Sequence, residues 1–237
     1  MVPRSFVKGT PDIEWVQILT CYNFFMYRAI IFDMDDTLIQ TRQAKFAAHI
    51  HAAKRFYNLD ITQADVQAHW GKPFHETVRG IYQDISDVDT LTANYLSITG
   101  QFPLSAYAGA HTMLKTLASK FQLGLLTAAS RQLVSLALGE AQIPLSHFAY
   151  TQTSDDSDFH KPDPRVFLPA LAYFGRQGLE PNEIVYIGDS LDDLRAAQGA
   201  DLHFIGISEH TTPKSVFDMA EAVSVDNFSA LTTLVLK

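Results

Sequence analysis

The sequence predicts an α/β fold, a doubly wound parallel sheet with an inserted helical subdomain, on three observations. Ala29-Ile-Ile-Phe32 is a short apolar run, rich in β-branched and aromatic residues, that reads as a buried parallel strand and stops abruptly on Asp33, Asp35 and Asp36. Residues 42–103 carry helical periodicity and no strand pattern. From Ala108 onward strand and helix patterns alternate, as in a parallel sheet wound with right-handed crossovers. The chain therefore divides into an N-terminal extension (1–25), a core (26–41 and 104–237) and a helical insertion (42–103).

Taken in order, Arg42 to Asn58 is predicted helical because Phe46, Ile50, Ala53 and Tyr57 form one stripe of a 3.6-residue period. His49 and His51 on that helix read as surface or hydrogen-bonded residues rather than metal ligands. Thr62 with Asp65 three residues on makes a capping box that opens a short helix to about Trp70. Gly71-Lys72-Pro73 ends it, and helices follow over Phe74–Gln83 and Val88–Ile98. In the core, helices His111–Lys120, Arg131–Ala141, Pro164–Phe174 and Asp192–Gly199 lead in turn to strands Phe121–Leu126, Phe148–Thr151, Ile184–Ile187 and Leu202–Ile207.

Composition bounds the function. A hydrophobic content of 47% with 19% charged residues in 237 residues is that of a globular chain. A net charge of −8 and a pI near 5.5 argue against nucleic-acid partners and against an anionic membrane surface. The single Cys21 excludes an intrachain disulfide and suits a reducing, cytoplasmic setting. In the extension, Trp15 to Phe25 is apolar but broken by Gln17, Thr20 and Asn23, with no small-residue cleavage site and no spanning run. It reads as an added element packed on the core, or as the product of a start upstream of Met26.

The polar residues gather where the strands end. Asp33 and Asp35 are two apart, so an extended backbone turns both carboxylates toward the carboxyl end of the first strand, where open α/β sheets bind ligands. Two carboxylates about 4 Å apart repel by roughly 4 kcal/mol at an effective dielectric near 20, which calls for a cation. An all-oxygen ligand set favours Mg²⁺, although Asp-x-Asp alone also suits a solvated turn. Thr127 ends the next core strand with a hydroxyl able to bond a phosphate oxygen, or serves as a turn residue. Lys161, before the proline-initiated helix at Pro164, is placed to neutralise a phosphoryl group, or is a surface lysine. Gly188-Asp189-Ser190-Leu191-Asp192-Asp193 ends an apolar strand with acids able to converge on one cation; the helix dipole accounts for Asp192 and Asp193 better than for Asp189.

In this order and spacing, Asp-x-Asp-x-Thr, an apolar strand ending in Thr, Lys-Pro, and Gly-Asp-x-x-x-Asp resemble motifs I to IV of the haloacid dehalogenase (HAD) superfamily, from about residue 27 to 237. The subgroup most similar is that of phosphoglycolate phosphatase and β-phosphoglucomutase, with residues 42–103 as a C1-type cap on a Rossmann-like core. The resemblance implies that Asp33 is the nucleophile and Asp35 the acid and base at the leaving oxygen. Mg²⁺ is then held by the Asp33 carboxylate, the Asp35 backbone carbonyl and Asp189, with Asp193 directly or through water. Thr127 and Lys161 hold the phosphoryl oxygens, with the backbone of Ala128 beside them. A cap loop at Trp70–His75 faces the cleft in such proteins, which makes Gly71 and Lys72 candidate substrate-binding residues.

Two positions depart from the family pattern: Ala128 replaces a common Asn, and Asp36 stands where many members have Gly. The implied function is Mg²⁺-dependent hydrolysis of a small phosphate ester, phosphoglycolate-like or a sugar phosphate, by a monomer or homodimer. A phosphomutase shares every motif, and a nucleoside monophosphate phosphatase is a further alternative. Dehalogenases and phosphonate hydrolases of this fold lack the second motif-I Asp, so Asp35 speaks against them. A non-enzymatic phospho-receiver has no cap and puts its phosphoacceptor on a later strand.

Overall fold

The computed structural model describes residues 27–70, 72, 74–208 and 211–237; the extension, with Cys21, and the loop positions Gly71 and Pro73 lie outside the described residues. Six parallel strands form one sheet in the order β5-β4-β1-β6-β7-β8: β1 (Ala29–Phe32), β4 (Gln122–Leu126), β5 (Tyr150–Gln152), β6 (Ile184–Gly188), β7 (His203–Ile207) and β8 (Ser224–Val225). β1 lies inside the sheet between β4 and β6, and all four of its residues are fully buried. Its alternate side chains serve opposite faces, as a two-residue period requires. Ile30 and Phe32 pack with Met113 and Leu114 of α5 (Ala110–Ala118), Val134 and Leu138 of α6 (Arg131–Glu140), and Leu231 of α10 (Phe228–Val235). Ala29 and Ile31 pack with Phe174 of α7 (Leu168–Gly175), Leu194 of α8 (Leu191–Gly199) and Phe217 of α9 (Lys214–Met219). Burial of Ile30, Ile31 and Phe32 stabilises the fold by roughly 1.5–3 kcal/mol each.

Between β1 and the second core strand the chain leaves and returns through a short antiparallel ribbon, β2 (Ile39–Gln40) with β3 (Ser105–Ala106). The excursion consists of α1 (Arg42–Tyr57), α2 (Gln63–Gln67), α3 (Phe74–Ile81) and α4 (Val88–Thr99). These helices share a hydrophobic cluster of their own, built on Phe46, Ala52, Val66, Val78, Ile81, Tyr82, Leu91 and Tyr95. His49 is buried in it as a hydrogen-bonded partner: its Nδ1 lies 2.8 Å from the Tyr82 hydroxyl and its ring stacks on Tyr95 at 4.0 Å. The Thr62–Asp65 capping box forms, but α2 stops at Gln67 and residues 68–70 are turns.

Other boundaries move for local reasons. The third core strand begins at Tyr150 rather than Phe148, because Leu145–His147 forms a 3₁₀ turn that delivers Phe148 to the core. The helix from Pro164 opens as a 3₁₀ turn, Pro164–Phe167, capped by the Asp163 carboxylate on the Arg165 N–H, before α7 proper. Beyond Ile207, where the predicted alternation of strand and helix stops, α9, β8 and α10 complete the sheet edge.

Candidate active site

The site lies at the carboxyl ends of β1, β4 and β6. Asp33 follows the last residue of β1, its N–H still donating to the Ile187 carbonyl at 2.8 Å, so its position is fixed by the sheet ladder. The chain then turns sharply: the N–H groups of Leu38 and Ile39 both donate to the Met34 carbonyl, and Asp36 adopts a left-handed φ of 57°. That conformation explains why glycine suits position 36 and why aspartate, which tolerates it better than most residues, is accepted. The Asp36 carboxylate also accepts from the N–H groups of Thr41 (3.0 Å) and Arg42 (2.9 Å), meeting donors that the start of α1 leaves unpaired.

Asp33, Asp189 and Asp193 are all buried, and one carboxylate oxygen from each lies within 4.8 Å of the others. Lys161 bridges two of them, with Nζ 2.7 Å from Asp33 Oδ1 and 2.6 Å from Asp193 Oδ1. The Tyr186 hydroxyl lies 3.1 Å from Lys161 Nζ and donates to Asp193 Oδ1 at 3.0 Å. Asp193 is further held by the Ser190 capping box, its Oδ2 accepting from Ser190 N at 3.1 Å and Oγ at 2.5 Å. Gly188 makes room for it, since a Cβ there would lie 2.5 Å from Asp193 Cγ. Thr37 donates to Asp189 Oδ1 at 2.9 Å, and the Thr211 hydroxyl bonds both the Asp189 carbonyl (3.0 Å) and its carboxylate.

Burial above all pushes the Asp33 carboxyl well above its ordinary pKa; Lys161 opposes this, while Asp193, Asp189 and Asp35 reinforce it. Asp189 is pushed up to about 6 by burial and then by Asp193, against the hydrogen bonds from Thr211 and Thr37. Burial alone would lower Lys161, but Asp193 and Asp33 outweigh it and keep the ammonium charged. Three mutually repelling carboxylates with one ammonium among them form an oxygen-only donor set of net negative charge. Such a set fits a hard divalent cation.

Asp35 sits beside this cluster, with its side chain 24% exposed. Burial pushes its pKa up, yet the Lys45 ammonium, which donates to Oδ1, brings it below the ordinary carboxylate value. Thr127 donates to Asp35 Oδ2 at 3.3 Å and accepts from the Ala129 N–H at 3.1 Å. Asp33, Asp35, Thr127, Lys161, Asp189 and Asp193 thus share one end of the sheet. Ala128 lies next to Thr127 on the rim of a narrow pocket reaching Ser154 and Lys161. Lys72 is exposed, and its ammonium lies 3.4 Å from His69 Nδ1 rather than on an acid of the cluster.

Lys45, Thr37, Tyr186 and Thr211 are contributors that the motif reading assigns no role. Thr37 stands in the first motif and so had a signal. Tyr186 hides inside an apolar strand, and Lys45 is one polar position of an amphipathic helix.

Among curated proteins, pyrophosphatase PpaX of Bacillus velezensis is 28% identical over 184 residues, covering 76% of this chain and 82% of its own. PpaX of Anoxybacillus flavithermus is also 28% identical, over 183 residues, with the same coverage. Among solved structures, a Thermotoga maritima protein named for β-phosphoglucomutase has a TM-score of 0.74 at 22% identity, over 88% of this chain and 98% of its own. A chain named as a HAD-hydrolase, YfnB of Bacillus subtilis, crystallised with magnesium, has a TM-score of 0.72 at 20% identity, over 88% and 98%. The family model described as haloacid dehalogenase-like hydrolase matches residues 30–207, which span the acids of the site and every strand but β8, and the chain belongs to that family.

Proposed function

We propose that the protein is a Mg²⁺-dependent phosphatase that cleaves a small phosphorylated compound through a phosphoryl group carried transiently on Asp33. The observation that supports this most is the convergence of Asp33, Asp189 and Asp193 within 4.8 Å, with Lys161 bonded to Asp33 and Asp35 alongside. Asp33, Asp189 and Asp193 would hold Mg²⁺ with the Asp35 carbonyl; the bound ion supplies positive charge to the phosphoryl oxygens and lets the carboxylates stay ionised.

In the first step a carboxylate oxygen of Asp33 attacks phosphorus and the bond to the leaving oxygen breaks, while Asp35, which Lys45 keeps ionised in the free site, gives that oxygen a proton taken up with the substrate. Lys161 and the Thr127 hydroxyl hold the equatorial oxygens as negative charge spreads over them. In the second step Asp35 takes a proton from a water that attacks the same phosphorus. The Asp33–phosphorus bond then breaks, and inorganic phosphate leaves. The helices over residues 42–103 serve as a cap that closes over the substrate and limits the water admitted. Candidate substrates are phosphoglycolate-like compounds and sugar phosphates, to which the named activity of the PpaX relatives adds inorganic pyrophosphate.

The test is release of inorganic phosphate by the purified chain from a panel of these compounds, with Mg²⁺ and with EDTA. Turnover that requires Mg²⁺ is expected; no turnover of any phosphate ester or anhydride, or full turnover in EDTA, would refute the reading.

A further inference from the structure

The cation nearest Asp35 comes from α1, outside the sheet. Lys45 Nζ donates to Asp35 Oδ1, and its position is set from both ends of its surroundings. The start of α1 is tied to the turn after β1 by the Asp36 carboxylate, and Phe46, next to Lys45, is buried in the helical cluster. The Trp70 ring packs edge-on against Phe46 at 4.9 Å and lies 5.8 Å from the Lys45 ammonium, forming an apolar wall beside it. The side chains of Lys45 and Asp35 are 28% and 24% exposed, so both open to solvent at one place.

A leaving oxygen that takes a proton from Asp35 must lie within hydrogen-bond distance of its carboxylate. Lys45 is bonded to Oδ1 of that carboxylate, so leaving oxygen and ammonium stand within about 5.5 Å when the proton comes from Oδ1 and within about 8 Å when it comes from Oδ2. A second charged group two or three bonds from the leaving oxygen comes within direct reach of Nζ. Asp33, Asp35, Asp36, Asp189 and Asp193 make this end of the sheet strongly negative, and a substrate with two anionic groups needs a cation at each. Lys161 lies on the Asp33 side and Lys45 on the Asp35 side. A neutral alcohol leaving group has no use for the second.

Building on the proposed phosphatase activity, we propose that Lys45 is the receptor for the leaving group. It selects substrates whose leaving group carries a negative charge within two or three bonds of the scissile oxygen: a phosphoric anhydride or a phosphorylated short carboxylic acid. This gives to Lys45 the role that the sequence suggests for Lys72.

The test compares kcat/KM for pyrophosphate, 2-phosphoglycolate and 2-hydroxyethyl phosphate, the last matching phosphoglycolate in size without its carboxylate. The wild-type chain is expected to favour an anionic substrate by about ten-fold or more, the worth of one charge-assisted hydrogen bond. Which of the two anionic compounds leads tells anhydride from carboxylate. Lys45→Met should reduce the ratio of anionic to neutral substrate about ten-fold, and Lys45→Arg should recover most of it. A wild-type ratio near unity, or an unchanged ratio in Lys45→Met with turnover of all three compounds retained, overturns the inference while leaving the phosphatase reading intact. If the wild-type chain cleaves none of the three and no aryl phosphate, both readings fall.

Discussion

Gly188 and Asp193 occupy the same space: a methyl group on Gly188 would stand 2.5 Å from Asp193 Cγ and 2.6 Å from its Cβ. The last residue of β6 must therefore be glycine for the acid on the first turn of α8 to reach Lys161 and the proposed cation site. Gly188→Ala should displace Asp193 and loosen its bonds to Lys161 and Tyr186. Relief of such a clash typically costs about 1–3 kcal/mol of stability. Mg²⁺ affinity should fall by about ten-fold or more, read by titration calorimetry, with turnover falling in parallel. Wild-type Mg²⁺ affinity in a folded Gly188→Ala protein would show that Asp193 takes no part in holding the ion.

As a ligand of the proposed Mg²⁺ site, Asp189 would link metal binding to pH. Its folded-state value of about 6 stands above the 3.8 of an unperturbed aspartate. The stability contributed by the protonated group is therefore complete below about pH 4 and lost as pH rises through 6, on the order of 3 kcal/mol in the absence of metal. Mg²⁺ held at the proposed site would replace the proton and remove that loss. The rise in Tm on adding Mg²⁺ to EDTA-treated protein should be markedly larger at pH 7 than at pH 5. An equal rise at both values would contradict the assignment of Asp189 to the site. Comparing samples with and without Mg²⁺ cancels the titration of groups remote from the acids.

One such remote group is His49, which burial and then Lys45 lower to about 3 from an ordinary 6.5. Its folded value is depressed, so its contribution to stability is present above pH 6.5 and is lost as pH falls toward 3. The ring should remain neutral at pH 5, and its NMR shifts should not move between pH 8 and 5. A titration midpoint near 6.5 would mean that the His49–Tyr82 hydrogen bond and the Tyr95 stack do not persist in solution.

Much of the site is legible in the sequence because parallel strands are apolar until they end, so Asp33, Thr127 and Asp189 announce themselves by interrupting buried runs. Gly188 is legible too, beside the acids it makes room for. Lys45 is not: whether a polar residue on an amphipathic helix meets solvent or Asp35 depends on where α1 starts, and that is set by the left-handed turn at Asp36. Tyr186 is hidden for the opposite reason. Its ring belongs to the apolar core against Phe167, and only its hydroxyl reaches Lys161 and Asp193. The two-residue strands β2 and β3 are too short to have a period, and their pairing appears only once the helical excursion folds back on itself.

Asp33 is the group proposed to attack phosphorus, and Asp33→Asn tests that role most directly. The amide keeps the shape and leaves Lys161 its bond to Asp193, so the folded structure should survive with a wild-type circular dichroism spectrum. The rate of phosphate release, measured with Mg²⁺ on the best substrate of the panel, should fall by about a thousand-fold or more, because the covalent route is lost as a whole. A folded Asp33→Asn protein that retains about a tenth of the wild-type kcat/KM would contradict the account.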